Sequence, residues 1–318
     1  MSEPRDVLIA LTAWDAEHWR ARFQKLVPDR KVFIDPETAD PARIGYIATW
    51  KHKPGSLARF TNLKAIFSLG AGVDHMFLDP DLPDVPMARI VDPDLTERMG
   101  EWVALHVLRH HRQHDRYATQ QKAKDWNDDR DQPAAAEIRV GIMGLGVLGQ
   151  HAAKVLKVIG FDVAGWSRSR REVPGLKSYA GAEELPAFLA RTDILVALLP
   201  LTDDTRGIFN LNLFKGLAQD GKLGGPFFLN AGRGGLQVEG DILTALDAGI
   251  LQAVTLDVFE TEPLPKDSSL WTHRQVNVTP HNAAMSAPDA ISKQIVQQIE
   301  RLERGEPLEN VVDRKAGY

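Results

Sequence analysis

The chain has 318 residues, 43% of them hydrophobic, which is long for one domain and enough for two sizeable cores. A net charge of −5, with acidic and basic residues interspersed, argues against a nucleic-acid or membrane-surface protein. No apolar run reaches the length of a membrane span, the start MSEPRDVLIALTAW lacks the basic segment and cleavage site of a secretory leader, and zero cysteine excludes disulfides, thiolate metal sites and thiol nucleophiles. A soluble cytoplasmic protein is expected.

Val7 to Leu11, Val32 to Ile34, Ile44 to Ala48 and Ala65 to Leu69 are short apolar or β-branched runs, and Asp15 to Leu26 has helical composition. This alternation predicts a parallel sheet with helices on its faces, a small α/β domain over the first hundred residues. Two loops at its strand ends are chemically suggestive. Leu69-Gly70-Ala71-Gly72 would expose backbone N–H groups in an anion-binding concavity suited to a carboxylate, or is simply a tight strand-to-helix turn. Trp50, just past a strand, either closes a pocket wall or packs in the core.

From Leu95 to about Lys122 apolar residues recur at helical spacing behind Thr96, a plausible N-cap, and predict one long helix linking the domains. His106, His110, His111 and His114 include i, i+4 pairs of the kind that bind metal, but no carboxylate or cysteine set completes a site. A solvated or interface face is favoured, and no metal is expected. Asp125 to Pro133 reads as a polar loop.

Ile138 to Met143 is a short apolar strand, and Val147, Leu148, Ala152, Val155, Leu156 and Ile159 continue as a helix face. Between them Gly144, Gly146 and Gly149 form GxGxxG: one glycine for the tight turn, one for approach of a pyrophosphate, one for close helix–strand packing. The opening N–H groups of that helix, at Val147, Leu148 and Gly149, would face phosphate. Phe161 to Trp166 completes a βαβ unit of about 30 residues, the context that turns a weak glycine pattern into a dinucleotide site. An NAD site usually carries an acidic residue about 20 residues past the glycines. Here Ser167, Arg168, Ser169, Arg170 and Arg171 occupy the strand end. Guanidinium groups and hydroxyls suit a 2′-phosphate, so NADP is the cofactor expected over NAD. The competing reading is a solvated basic loop.

Glu183 to Ala190 reads as a short helix, and Asp193 to Pro200, Phe227 to Asn230, Ala253 to Val258 and Val276 to Thr279 read as buried parallel strands. Three successive strand ends then offer Arg233, Glu262 and His281 on one sheet edge, the edge at which a dinucleotide binds. Beside a nicotinamide that set suits hydride transfer to a 2-keto acid. Arg233 would clamp carboxylate and carbonyl oxygen, His281 would protonate the developing alkoxide, and Glu262 would orient His281 as its counter-charge. Taken singly, Arg233 also fits a phosphate or loop role, Glu262 a solvated one, and His281 a helix cap.

In order and spacing, GIMGLGVLG, LLPLT, NAGRGG, LDVFETEPLP and TPHNA resemble the D-isomer-specific 2-hydroxyacid dehydrogenases over essentially the full length. SLGAGVDH, GWSRSRR, Ser269-Leu270-Trp271 and the VDRKAGY ending are most similar to the glyoxylate/hydroxypyruvate reductase branch of that family. The resemblance implies a Rossmann-type domain, residues 96–285, inserted in a smaller flavodoxin-like α/β substrate domain made of residues 1–95 and 286–318. It implies catalysis by Arg233, Glu262 and His281, and substrate contacts from Trp50, Leu69, Gly70, Ala71 and Gly72. Around the cofactor it implies Leu199, Pro200, Thr205, Ala231 and His281, with Asp257 on the nicotinamide carboxamide, and a homodimer formed through the cofactor domain. Gly232 stands where the family often has alanine before the arginine. The activity implied is NADPH-dependent reduction of small 2-keto acids such as glyoxylate and hydroxypyruvate. The alternatives are a nucleotide-sensing binding protein on the same fold, or a formate- or phosphite-type dehydrogenase, which would call for the missing acidic residue.

Overall fold

The computed structural model describes residues 5–12 and 14–318; the first four residues of the segment read as leaderless, and Ala13, lie outside the described residues. The chain divides into two compact units, residues 1–95 with 286–318, and residues 96–285.

In the first unit β1 (Asp6–Leu11) is followed by α1 (Ala16–Leu26), whose N-cap Asp15 accepts from the N–H groups of Glu17 and His18. β2 (Val32–Phe33), β3 (Ile44–Trp50), β4 (Ala65–Ser68) and β5 (Met87–Ala88) follow. They pair in parallel in the order β2-β1-β3-β4-β5. β5 escapes sequence periodicity because it is only two residues long. Alternation along the sheet sends Val7 and Ile9 to one face and Leu8 and Ala10 to the other, and both faces are buried.

The expected single helix from Leu95 to Lys122 is two. α2 (Pro93–His111) starts earlier than Thr96, with proline in its first position and the Asp92 carboxylate accepting from Asp94 N–H, so Thr96 lies within the helix rather than at its cap. It stops where Gln113 adopts φ 51°, and α3 (His114–Ala123) then starts afresh. Arg109 grips Asp115 across the break through its guanidinium, at 3.0 and 3.1 Å from Nε. His106, His110 and His111 are buried on α2, which corrects the solvated reading for these three, while His114, the first residue of α3, is exposed. His106 packs on Trp102, His111 on Phe161, and His110 on Phe227 while its Nε2 meets Thr255 Oγ1 at 2.9 Å. Burial pushes the imidazole pKa of His106 down to about 4 and that of His110 down to about 3.

The second unit continues with β6 (Arg139–Met143), α4 (Val147–Ile159), β7 (Asp162–Ser167), β8 (Lys177–Ala180), α5 (Gly181–Ala190) and β9 (Ile194–Ala197). α6 (Leu211–Lys215), β10 (Phe227–Asn230), α7 (Glu239–Asp247), β11 (Ala253–Leu256) and β12 (Val276–Val278) complete it. All seven strands are parallel, in the order β12-β11-β10-β9-β6-β7-β8. Strand order reverses at β6, so the crevice past the ends of β6 and β9 is the switch point of a doubly wound sheet. The polar edge strand β8 and the short helices α6 and α7 carry too little periodicity to be read from sequence.

The chain then returns to the first unit as α8 (Pro288–Glu303), with proline at its start. Ile291, Ile295 and Ile299 join Trp19, Phe23, Val7 and Ile9 in one core, each buried isoleucine contributing roughly 2 kcal/mol. Arg22 to Asp289 at 2.8 Å and Arg30 to Glu303 at 2.9 Å tie the two ends of the chain together at their rim.

Candidate active site

The glycine turn lies at the switch point, and its three glycines differ in what a side chain would meet. Gly144 has φ +111°, and a Cβ there would lie 2.5 Å from the Leu198 carbonyl oxygen. At Gly149 a Cβ would come within 1.8 Å of the Gly144 carbonyl oxygen, so helix and turn touch backbone to backbone. Around Gly146 nothing lies within 4 Å. Gly146 is also the N-cap of α4 and lends no side-chain hydrogen bond to the N–H groups of Val147, Leu148 and Gly149. An open backbone face in front of uncapped N–H donors fits a pyrophosphate.

On the far side of the crevice the loop after β9 carries Leu199, buried, and Pro200, half-buried. Thr205 folds that loop back: its Oγ1 donates to Pro200 O at 2.8 Å and accepts from Thr202 N–H at 2.8 Å. Ala231, past β10, donates its N–H to Ala197 O at 3.2 Å. At the end of β7, Ser167 Oγ donates to Ser169 O at 2.8 Å. Arg168 forms an ion pair with Asp204 at 3.6 Å, exposed and therefore weak. Arg170 is held by Glu184 and donates to Ser178 O at 2.8 Å. No carboxylate belongs to residues 167–171, so the acidic partner of a ribose 2′-OH is absent from that strand end.

β10, β11 and β12 are neighbours, and their C-terminal loops carry Arg233, Glu262 and His281. His281 Nδ1 lies 2.8 Å from Glu262 Oε2, with side-chain exposures of 38% and 23%, so the pair is accessible. Glu262 Oε1 accepts from Phe259 N–H at 3.2 Å. The loop bearing Arg233 is packed on this segment so closely that a Cβ at Gly234 would lie 1.8 Å from Phe259 O. Gln237 donates to Val258 O at 3.0 Å, and Asn230 donates to Gln237 Oε1 at 2.8 Å and to Arg233 O at 3.1 Å. Arg233 Nη1 donates to the backbone carbonyl of Gly232 at 2.8 Å.

Asp257 is 1% exposed and shapes the histidine loop from beneath. Its Oδ1 accepts from Thr279 Oγ1 at 2.5 Å and Asn282 N–H at 3.0 Å, its Oδ2 accepts from Ala283 N–H at 3.0 Å, and its carbonyl accepts from His281 N–H at 2.8 Å. Trp102 Nε1 donates to Thr279 Oγ1 at 3.3 Å. Gln237, Thr279 and Trp102 go unnoticed in the sequence, because neither spacing nor residue type distinguishes them; only the polar residue ahead of Pro280-His281 was a hint.

In the first unit Trp50 ends β3 and its indole stands over Gly70, where a Cβ would lie 2.5 Å from Cζ3. Trp14 stacks on Trp50 at 5.2 Å, and His75 meets its edge at 4.5 Å. Leu69 is buried and donates to Thr49 O at 2.9 Å, and Gly70 N–H donates to Ser68 Oγ at 3.2 Å. Among the described residues no cluster of three or more histidine, aspartate or glutamate side chains is placed to hold a metal.

A doubly wound parallel sheet with a glycine turn at its switch point defines a Rossmann-type dinucleotide-binding protein. The model of the D-isomer specific 2-hydroxyacid dehydrogenase NAD binding domain matches residues 104–283, and the chain belongs to that family. Over 98% of its length the chain is 39% identical to the whole of a glyoxylate/hydroxypyruvate reductase A from Escherichia fergusonii. An NADPH-dependent glyoxylate/hydroxypyruvate reductase from Sinorhizobium meliloti, solved with NADP and sulfate, is 49% identical and superposes with a TM-score of 0.93 over 99% of this chain and all of that one. A probable 2-hydroxyacid dehydrogenase from Rhizobium etli, solved with NADP, HEPES and L(+)-tartaric acid, is 45% identical, with a TM-score of 0.93 over the same shares.

Proposed function

We propose that the protein is an NADPH-dependent reductase of small 2-keto acids such as glyoxylate and hydroxypyruvate, with residues 96–285 as the cofactor domain and residues 1–95 and 286–318 as the substrate domain. The observation that carries this reading is the 2.8 Å contact of His281 Nδ1 with Glu262 on the strand-end edge that also bears Arg233. An ionised Glu262 accepts from Nδ1–H, which leaves Nε2 as the nitrogen that delivers a proton. Bound NADPH supplies the hydride to the carbonyl carbon. In its imidazolium form, protonated on both ring nitrogens, His281 gives its Nε2 proton to the carbonyl oxygen and is left neutral, so that hydride and proton together turn keto acid into 2-hydroxy acid. Arg233 binds the substrate's oxygens and orients its carbonyl. Gly144, Gly146 and the opening N–H groups of α4 hold the pyrophosphate, and Ser167, Arg168, Ser169 and Arg170 face the 2′-phosphate. Asp257 positions the carboxamide, while Leu199, Pro200, Thr205 and Ala231 line the dinucleotide. Trp50 and residues 69–72 meet the substrate.

Following NADPH absorbance with a panel of 2-keto acids tests the activity. Tight NADPH binding without turnover of any of them would replace it with a nucleotide sensor. Equal kcat/KM with NADH and NADPH, or no change in their ratio in an Arg168→Ala, Arg170→Ala double variant, would remove the cofactor assignment.

We further infer a homodimer. α3 buries none of its side chains, Trp126 is 97% exposed and Leu105 61% exposed. A ten-residue helix with no fully buried side chain is marginal in water, so a second copy is its natural support. Among the described residues no helix is long and apolar enough to cross a membrane, in keeping with a cytoplasmic location.

A further inference from the structure

Arg233 and Glu262 stand on loops that the parallel ladder does not join. The last rung between β10 and β11 is the Asp257 N–H donated to Asn230 O at 2.9 Å, and among the described residues no backbone hydrogen bond links residues 231–238 to residues 258–263 beyond it. A pair of buried amides spans the gap. Asn230, the last residue of β10, is fully buried, and Gln237 is 2% exposed. Asn230 Oδ1 accepts from Gly232 N–H at 2.9 Å, while its Nδ2 donates to Arg233 O at 3.1 Å and to Gln237 Oε1 at 2.8 Å. Gln237 Nε2 in turn donates to Val258 O at 3.0 Å. The orientation of both amides is forced, because turning either one over sets oxygen against oxygen or N–H against N–H.

The Val258 carbonyl and the Phe259 N–H belong to one planar peptide group. Gln237 grips that group by its oxygen, and Glu262 Oε1 accepts from its N–H at 3.2 Å. The other oxygen of the same carboxylate lies 2.8 Å from His281 Nδ1. Rotating the 258–259 peptide plane therefore turns Glu262 away from the imidazole, and the Gln237 amide resists that rotation. Hydrogen bonds in such a chain also polarise one another, so a donor on the carbonyl makes the N–H of the same peptide a better donor to Glu262. At the rim Glu239 N–H donates to Glu260 Oε1 at 3.2 Å and Glu260 N–H to Glu239 Oε1 at 2.9 Å, but this strap is open to solvent. Gln237 is the buried hydrogen-bonded link.

We propose that Gln237, oriented by Asn230, is a positioning residue for the proton donor: by fixing the Val258–Phe259 peptide group it aims Glu262 at His281 and keeps the Arg233 loop in register with both. The proposal rests on reading His281 as the group that protonates the keto acid. Gln237 acts through Glu262, not on the substrate.

Gln237→Met keeps the buried volume and removes the bonds to Val258 and Asn230. Gln237→Asn keeps an amide that is too short to reach from Asn230 to Val258, and serves where the first variant folds poorly. Both are tested in the full-length protein by steady-state kinetics with glyoxylate and NADPH and by hydrogen–deuterium exchange read by mass spectrometry. In either variant kcat is expected to fall about tenfold or more, with the glyoxylate KM and the NADPH affinity within about threefold of wild type, since only the aim of the donor is lost. The solvent deuterium isotope effect on kcat should rise, because a misaligned proton transfer limits the rate more. Exchange in residues 258–262 should quicken about tenfold while that of β6 stays unchanged. A residue that merely supports the fold would lower Tm and NADPH affinity together with kcat and leave the isotope effect where it was, and that result overturns the assignment. So does turnover or 258–262 exchange within about twofold of wild type in a folded variant, or failure of both variants to fold. If the wild type reduces no 2-keto acid, the proposed activity fails, and the exchange of residues 258–262 still decides whether Gln237 fixes that peptide group.

Discussion

His281 occupies φ +50°, a left-handed conformation that is uncommon for a residue with a side chain. Such a conformation costs on the order of 1–3 kcal/mol and persists only where surrounding bonds over-determine it. Asp257 supplies them, accepting the N–H groups of residues 281, 282 and 283. The imidazole is therefore held from below by the backbone and from the side by Glu262. Replacing His281 by alanine is expected to lower kcat by about two or more powers of ten, the range of general acid catalysis. Glu262→Gln, which keeps the shape but not the charge, should lower kcat less, with NADPH affinity unchanged. Stopped-flow turnover and fluorescence titration of NADPH check both; unaltered turnover in His281→Ala removes the proton donor from the mechanism.

A second residue-level consequence concerns His110, whose folded-state pKa lies near 3 against an ordinary 6.5. Above pH 6.5 neither state binds the proton and the histidine is neutral in both. As pH falls from 6.5 toward 3 the unfolded chain takes up a proton that the native chain refuses, so native stability declines across that window. His106, pushed down to about 4, adds to the decline. In His110→Gln, which can still donate to Thr255, Tm should fall less steeply over the same window. A Tm profile parallel to that of wild type would show that this histidine carries none of the linkage.

The βαβ element from β6 to β7 separates what a glycine does for folding from what it does for binding. Gly149→Ala would drive a Cβ into the Gly144 carbonyl, so the variant is expected to lose several kcal/mol of stability, as overpacked contacts do. Gly146→Ala meets nothing within 4 Å and should keep its Tm while weakening NADPH binding. Thermal unfolding and NADPH titration of the two variants resolve the pair; a Gly146→Ala protein with wild-type affinity would remove the pyrophosphate from that face. This element was legible in the sequence because strand period, glycine spacing and helix period agree over a contiguous stretch. Even so, the buried stripe of α4 runs through Gly149, Ala152, Ala153 and Leu156, while Val147 and Ile159 stand exposed. The break between α2 and α3 was illegible, since it depends on Gln113 turning left-handed and on Arg109 reaching Asp115, neither of which alters the apolar pattern.

For the whole molecule, the proposed dimer predicts that the wild type sediments at twice the mass of its chain, and that a Leu105→Ser, Trp126→Ser double variant shifts toward the monomer. A wild type that is monomeric at micromolar concentration would rule the dimer out. Sequence by itself determined the parallel α/β class, the glycine turn and the three strand-end residues, because each is encoded by neighbours within a few positions. Only tertiary structure decided the burial of the α2 histidines, the return of α8 to the first core and the anchoring of the His281 loop by Asp257. These depend on which distant segments meet and on what each polar group finds there: a one-dimensional pattern records that a side chain is charged or apolar, whereas the free energy of placing it is set by partners hundreds of residues away.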